Sequence, residues 1–449
     1  MVADAASRQV VMTRTVRSGW RLGAGVVGLA FVLTAAGAVL GGPNEVPAAP
    51  AAAGAVAPGA APGQGVRALQ ARLKAQPKDA GAWAALGAAY VEEARAGGDP
   101  SRYPQAAEAF ARSLRLRPDG NADALAGRAA LAAARHDFPA ALRDADRALA
   151  VNPYSEHGLA VRIDALVELG RYPAALDAAR RADARRPGIP VFTRLAYVRE
   201  LRGDTKEARR VLELARNAAT TRADIAYTAT ALGRLAWSQG GYDEALRQCG
   251  QALKAEPDHL EARECRARAL TGKGQLAAAI AEFEEIVDGS PLPGRLVALG
   301  ELYEASGRPG PARRQYEVLG TWAGLAKAGG VNPDLDTALA AADHGDRAEA
   351  LRAARAEWQR RRTVHTEDAL AWALHRAGRS EEALPHARAA TATGYRDATF
   401  LYHRGMIERA AGERAAARAS LSRALELNPA FSPLGAREAR RALDGLEAT

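Results

Sequence analysis

From residue 66 onward the apolar positions recur at helical spacing, and they come in paired runs broken by glycine and proline. Eight times a glycine closes one run and an alanine stands five residues on in the next. The pairs are Gly170/Ala175, Gly203/Ala208, Gly240/Ala245, Gly274/Ala279, Gly307/Ala312, Gly345/Ala350, Gly378/Ala383 and Gly412/Ala417. With Ala106 and Ala141 added, the alanines step by 35, 34, 33, 37, 34, 33, 38, 33 and 34 residues. So constant an interval marks an internal repeat. Glycine tolerates the left-handed backbone at a helix end, and the alanine lets two antiparallel helices cross with no bulk between them. A second alanine often follows seven residues later, as at Ala148, Ala182, Ala215, Ala252, Ala390 and Ala424. Prolines at Pro118, Pro153, Pro187, Pro257, Pro291 and Pro429 keep the same phase, and each stops a second helix. The pattern predicts an all-α chain of about ten helix–turn–helix units.

The first unit carries Trp83, Leu86, Gly87 and Tyr90, then Ala106, Phe110 and Pro118, the last three displaced by about seven extra residues near Gly97–Arg102. Later turns read GRYPAAL at 170–176, GGYDEAL at 240–246 and GRSEEAL at 378–384. In these motifs the chain resembles the tetratricopeptide repeat, a helix–turn–helix unit of about 34 residues. The resemblance implies a right-handed α-solenoid over residues 66–430 whose first helices line a concave groove. It also implies a non-catalytic interaction scaffold that takes a protein or peptide partner in that groove. Two departures stand out: Arg199 occupies a family packing position, and the spacing widens across 317–337, which predicts a longer helix or loop. The ends read as caps. Val66, Leu69 and Leu73 share one face of a lone helix, while Ser432 and Pro433 start a terminal capping helix within 431–449. The family's lysine/asparagine clamp for a peptide carboxylate is not expected, because none of the six lysines falls on a first helix of the array.

Before the array the pattern changes. Residues 22–40 carry no charge over nineteen positions, enough for a helix of about 28 Å, close to the hydrocarbon thickness of a bilayer. Arg8, Arg14, Arg17 and Arg21 precede the run within residues 1–21, and the next basic residue is Arg67. That asymmetry predicts a single-pass signal-anchor in the cytoplasmic membrane, with the amino terminus inside and the array outside. The alternative is a signal peptide cleaved near Ala38, giving a secreted protein. Residues 41–65, rich in proline, alanine and glycine, read as a disordered linker.

Composition and charge narrow the function. The net charge of +9 comes almost wholly from arginine, and only 5% of residues are aromatic. No basic run is interleaved with stacking rings, so the arginines read as solvated helix faces and nucleic acid is not expected as a partner. An anionic polymer held by groove arginines stays open as an alternative. No HExxH, GxSxG, phosphate-binding loop or CxxC occurs; neither enzyme activity nor a cofactor is expected. Cys249 and Cys265 read as two buried, unpaired thiols, with a disulfide as the other possibility.

One constellation rises above this background, for five of the eight histidines fall between 344 and 403. On one helix His365, Asp368, Trp372 and His375 share a face, bordered by Arg376, while Leu370, Ala371 and Leu374 take the core side. In the next unit Tyr402, His403, Met406 and Arg409 form a matching stripe. Trp, Tyr, Arg and Met dominate interface energetics, so the two stripes together are a candidate partner-binding groove. Inter-repeat packing, with Asp368 paired to His403, explains the same residues. A metal site built on His365 and Asp368 would lack an identifiable third ligand.

Overall fold

The computed structural model describes residues 64–97, 100–328 and 332–447. The expected cytoplasmic segment, membrane anchor and linker therefore lie outside the described residues, except that Gln64 and Gly65 belong to the first helix rather than to a linker. Among the described residues no helix is long and apolar enough to cross a membrane.

The described chain is all helix and turn. A lone helix α1 (Gln64–Ala75) precedes ten pairs. They are α2 (Ala80–Gly97) with α3 (Tyr103–Leu116), α4 (Ala122–Ala134) with α5 (Phe138–Val151), and α6 (Glu156–Glu168) with α7 (Tyr172–Arg185). Next come α8 (Ile189–Glu200) with α9 (Thr205–Asn217), α10 (Arg222–Ser238) with α11 (Tyr242–Ala255), and α12 (Leu260–Gly272) with α13 (Leu276–Gly289). The last four pairs are α14 (Pro293–Ala305) with α15 (Pro309–Ala328), α16 (Asp334–His344) with α17 (Arg347–Arg360), α18 (Val364–Arg376) with α19 (Ser380–Thr391), and α20 (Ala398–Ala410) with α21 (Arg414–Leu427). Helix α22 (Gly435–Glu447) caps the end, its start fixed by the Ser432 hydroxyl, which accepts from the amides of Leu434 and Gly435 (3.3 and 3.0 Å). The widened spacing near 317–337 resolves into the 20-residue helix α15.

The small residues do what their spacing requires. All ten marker alanines, from Ala106 to Ala417, are buried at the crossings within pairs, and so are the second alanines. Seven of the eight hallmark glycines end their helices in the left-handed region; Gly345 is the exception, at φ −144°. In the second pair His136 takes the left-handed role itself, at φ 61°. Along the coil, consecutive even-numbered helices pack on one another, whereas odd-numbered ones pack chiefly on their even neighbours, so the even row forms the inner, shorter arc. That row loosens between α12 and α14. Cys249 on α11 and Cys265 on α12 are joined as a disulfide with their Cα atoms 6.1 Å apart, which corrects the expectation of unpaired thiols. The bare Cα of Gly233 leaves the room: a Cβ there would sit 2.5 and 2.9 Å from the two sulfurs.

The coil also closes on itself. Turns inside pairs two to five meet the turns that follow pairs seven to ten, about 190 residues away in sequence. His136 Nδ1 lies 3.0 Å from the Asn332 carbonyl oxygen. Glu168 pairs with Arg361, and the Tyr172 hydroxyl accepts from the Val364 amide at 2.9 Å. The Tyr242 hydroxyl donates to Asn428 Oδ1 (2.6 Å) and accepts from the Ala430 amide (3.0 Å). Ser432 donates to Glu301 (2.8 Å), so α22 lies against α14. Val364 and Phe400 join the apolar cluster of Ile163, Leu195 and Leu235, while Trp322 and Ala326 of α15 join that of α1–α4.

Candidate functional site: the inner helix row

The two stripes predicted from sequence lie on α18 and α20, neighbours in the inner row, and the structure brings them together. Most of their members are sealed between helices. Trp372 is 1% exposed, Asp368 3%, His403 and Tyr402 4%, and Met406 8%. His365, His375 and Arg376 are half-buried and Arg409 is exposed. The Trp372 ring stacks on His403 (centroids 4.0 Å apart, 14° between planes) and its Nε1 donates to Asp343 of α16 at 3.0 Å. His403 Nδ1 lies 3.0 Å from both Asp368 oxygens. Arg376 donates to the Ala342 carbonyl (3.1 Å) and its guanidinium lies 5.6 Å from the Trp372 ring centre. The Tyr402 hydroxyl donates to Glu438 of α22 at 2.7 Å. His375 Nδ1 is 2.9 Å from the Ser380 hydroxyl, and the His365 ring meets Phe400 and Tyr395 at 5.5 and 5.9 Å.

The electrostatics follow from this burial. Burial works against an imidazolium at His403, but the charge and hydrogen bond of Asp368, helped by Asp343 and Asp397, outweigh it and raise the pKa. His375 goes the other way, down to about 4, under burial and the charges of His403 and Arg376. His365 also falls to about 4, by burial and the charge of Arg361. The buried members thus form a charge-and-ring ladder linking α16, α18, α20 and α22. Among the described residues no group of three metal-ligating side chains occurs.

A second stretch of the inner row was not singled out from sequence. On α6, α8, α10, α12 and α14 carboxylates and arginines alternate across neighbouring helices. Arg194 forms a two-pronged, buried pair with Asp164 (2.9 and 2.8 Å). Glu264 accepts from Arg268 and from Arg295, each at 2.9 Å. Burial would raise the Glu264 pKa, yet the two arginines bring it down to about 2. Between these pairs lie Tyr197, Glu200, Tyr227 and Arg234, all half-buried. Burial pushes Glu200 up to about 7, with Arg234 opposing and Asp397 adding to the rise. Burial raises the Tyr197 and Tyr227 hydroxyls as well. The available signal was the interval: Asp164 to Arg194 and Arg234 to Glu264 span 30 residues, one repeat less one helical turn. By contrast, on the first two inner helices Ala84, Ala126 and Ala130 are packed away, while Ala88 is exposed.

Comparison with known proteins adds the family. Residues 230–292 and 369–430 match the model of the tetratricopeptide repeat. No curated protein matches the chain. Similar solved structures include TTC0263, a thermophilic TPR protein of Thermus thermophilus, at 28% identity over 38% of this chain and 91% of that one, with a TM-score of 0.35. A tetratricopeptide repeat protein of Parabacteroides merdae shares 17% identity over 58% of this chain and 98% of its own, with a TM-score of 0.34. YrrB, described as a TPR protein with an unusual peptide-binding site, shares 20% identity over 41% and 94%, with a TM-score of 0.29. With ten helix pairs built on one alanine-marked period and two stretches matching the repeat model, the chain belongs to the tetratricopeptide-repeat proteins.

Proposed function

We propose that this chain is a non-catalytic scaffold that holds a protein or peptide partner along its inner helix row, outside the cytoplasmic membrane. Proteins of this family generally mediate protein–protein interactions. The observation that carries the reading is the half-buried run Tyr197, Glu200, Tyr227 and Arg234, polar and aromatic groups partly stripped of water on the inner arc. Tyrosine and arginine so placed gain most from a partner that completes their desolvation. The accessible members of the two stripes on α18 and α20, His365, His375, Arg376 and Arg409, extend the same wall. Arg194, Arg268 and Arg295 are each paired with Asp164 or Glu264, which favours a protein over an anionic polymer. Presentation outside the membrane rests on residues 22–40 with their flanking arginines, and the disulfide suits an oxidising compartment.

The test is photocrosslinking of the full chain in cells, with a photoreactive residue at Tyr227 and a control at Arg209 on the outer helix α9. A discrete protein adduct from Tyr227 alone supports the reading. Equal capture from both positions, or none, refutes it. Protease treatment of intact and opened cells, with the array digested only after opening, would overturn the topology.

A further inference from the structure

We propose that the contact between pairs two to five and pairs seven to ten is a reversible seam, hinged between α13 and α14, whose opening exposes the inner helix row to a folded partner. The proposal goes beyond the scaffold reading, since it concerns access to the wall and not what binds there.

The strongest observation is a division among glycines that the sequence treats alike. Gly170, Gly203, Gly274, Gly307, Gly378 and Gly412 all lie between φ 70° and 81°. At Gly274, Gly307, Gly378 and Gly412 an added Cβ would meet open space. At Gly170 it would stand 2.1 Å from the Arg362 carbonyl oxygen, and at Gly203 it would stand 2.3 Å from that of Gly394. Gly240 repeats this at 2.8 Å from the carbonyl of Leu427. Three successive units therefore bring backbone against backbone across the seam, at a distance no other residue type permits. Such a repeated fit is a built interface, not a chance touch.

Apolar packing closes part of it, where Val364, Ala390 and Phe400 enter the cluster of Ile163, Leu195 and Leu235, and polar rungs make up the rest. Many of its rungs are single hydrogen bonds between turns: Val364 to Tyr172, Ala430 to Tyr242, Asn428 Nδ2 to the Trp237 carbonyl (2.9 Å) and Gln239 to the Arg396 carbonyl (3.4 Å). The central rung is ionic. Arg361 lies between Glu168 on α6 and Glu357 on α17, its guanidinium 5.0 Å from the Phe138 ring centre. Glu357 also accepts from Asn332 (2.9 Å) and Arg360. A buried ion pair adds little net stability compared with apolar packing but allows one register only. The hinge is where the inner row loosens, between α12 and α14, at the Ser290–Pro291–Leu292–Pro293 connection.

The experiment uses the full chain under non-reducing conditions, so that Cys249 and Cys265 stay joined. Spin labels on Arg202→Cys and Arg396→Cys, both exposed beside the third rung, report the distance across the seam. A single cysteine from Glu200→Cys reports access to the wall through its reaction with a small and with a polymer-linked maleimide. Gly170→Ala is the seam variant. Gly378→Ala, of matching φ with open space around it, controls for backbone strain, and Gly203→Ala against Gly412→Ala is the second pair, read with the cysteine reporter. We expect one short, narrow distance in the parent and in Gly378→Ala, and a longer, broader one in Gly170→Ala. Polymer-linked reagent should react about tenfold faster at position 200 in both seam variants than in their controls, with small-reagent rates alike. A long distance in the parent overturns the closed seam. Equal distances in Gly170→Ala and Gly378→Ala overturn the steric argument, and longer distances with unchanged bulky-reagent rates overturn control of access.

Discussion

Replacing Trp372 by alanine separates two uses of one ring. As an interface anchor it would cost binding and little stability. As the structure has it, the indole fills the space between α16, α18 and α20, 1% exposed and stacked on His403 at 4.0 Å. Removing a buried tryptophan costs about 3–5 kcal/mol through lost burial and the cavity left behind. The Asp343 carboxylate also loses its indole donor and keeps the Arg376 guanidinium, at 3.5 Å. Trp372→Phe retains most of the stacking surface and removes that one hydrogen bond, worth about 1.5–3 kcal/mol when a charged group is involved. The loss should be local. A repeat array is stabilised through neighbours, and Trp372 belongs to the cluster running from α16 to α22. Hydrogen exchange resolves this where one global unfolding energy would not. Protection of amides in α16, α18 and α20 should fall in the order parent, Trp372→Phe, Trp372→Ala, with a smaller fall in α6, which meets α18 across the seam, and with α2 and α3 unchanged. If Trp372→Ala left protection within about 1 kcal/mol of the parent while abolishing partner crosslinking, the packing account would be refuted.

Three further outcomes are expected. Gly378→Ala and Gly412→Ala should each lose only the cost of a left-handed side chain, about 1–2 kcal/mol. Gly170→Ala should lose at least about 2 kcal/mol more by urea unfolding, because the Tyr172 hydrogen bond and the Glu168–Arg361 pair are disturbed as well. Asp368→Asn should lower the His403 pKa to or below the ordinary histidine value, read by the imidazole nitrogen shifts, and destabilise α18 and α20. The pH profile has a definite sign. Burial lowers His136, His157, His365 and His375, the last two to about 4. The unfolded chain thus binds more protons as pH falls below about 6.5, and stability should decline toward pH 4. Glu168 and Glu200, raised to about 7, oppose this, since their protonation favours the folded state between pH 7 and 4.5. Glu200→Gln should accordingly steepen the acid decline seen by thermal melting, and a shallower decline would contradict the assignment.

Much of the fold was legible because nearest-neighbour packing leaves a periodic mark. A crossing that admits no bulk needs alanine, and alanine recurs at every such crossing. The capping residues were legible for a similar reason: Ser432 bonds amides two and three residues away. The stripe was legible only in part. The face argument assigned Leu370, Ala371 and Leu374 to the core and Trp372 to the groove, yet all four are 3% exposed or less. An inner helix here packs against its own partner and against the inner helices before and after it, so three of its faces are covered. Small residues left the neighbouring rows close enough to seal around Trp372. The wall of Tyr197, Glu200, Tyr227 and Arg234 was missed because each residue alone looks like a solvated helix face. Its meaning lies in the partner one repeat less one turn away.

The seam was invisible for a deeper reason. Periodicity reports what each unit asks of the next, whereas the seam joins positions about 190 residues apart, which share no period and no composition. Gly170 and Gly378 have the same sequence signature and nearly the same φ, 70° and 78°, and only one of them faces another backbone. Closure also changes the energetics expected of the fold. In an open solenoid, loss of one unit is felt by its two neighbours. Here, loosening α6 releases Arg361, and Arg361 holds Glu357 of α17, so damage in the third pair is transmitted to the eighth. A double-mutant cycle between Tyr172→Phe and Trp358→Phe would measure that transfer. Trp358 lies on α17, with its indole donating to Glu367 at 2.9 Å. Distant sites in an open array give additive losses within about 0.5 kcal/mol. A coupling above that figure would show that the two ends of the coil fold as one body, and additivity would show that they do not.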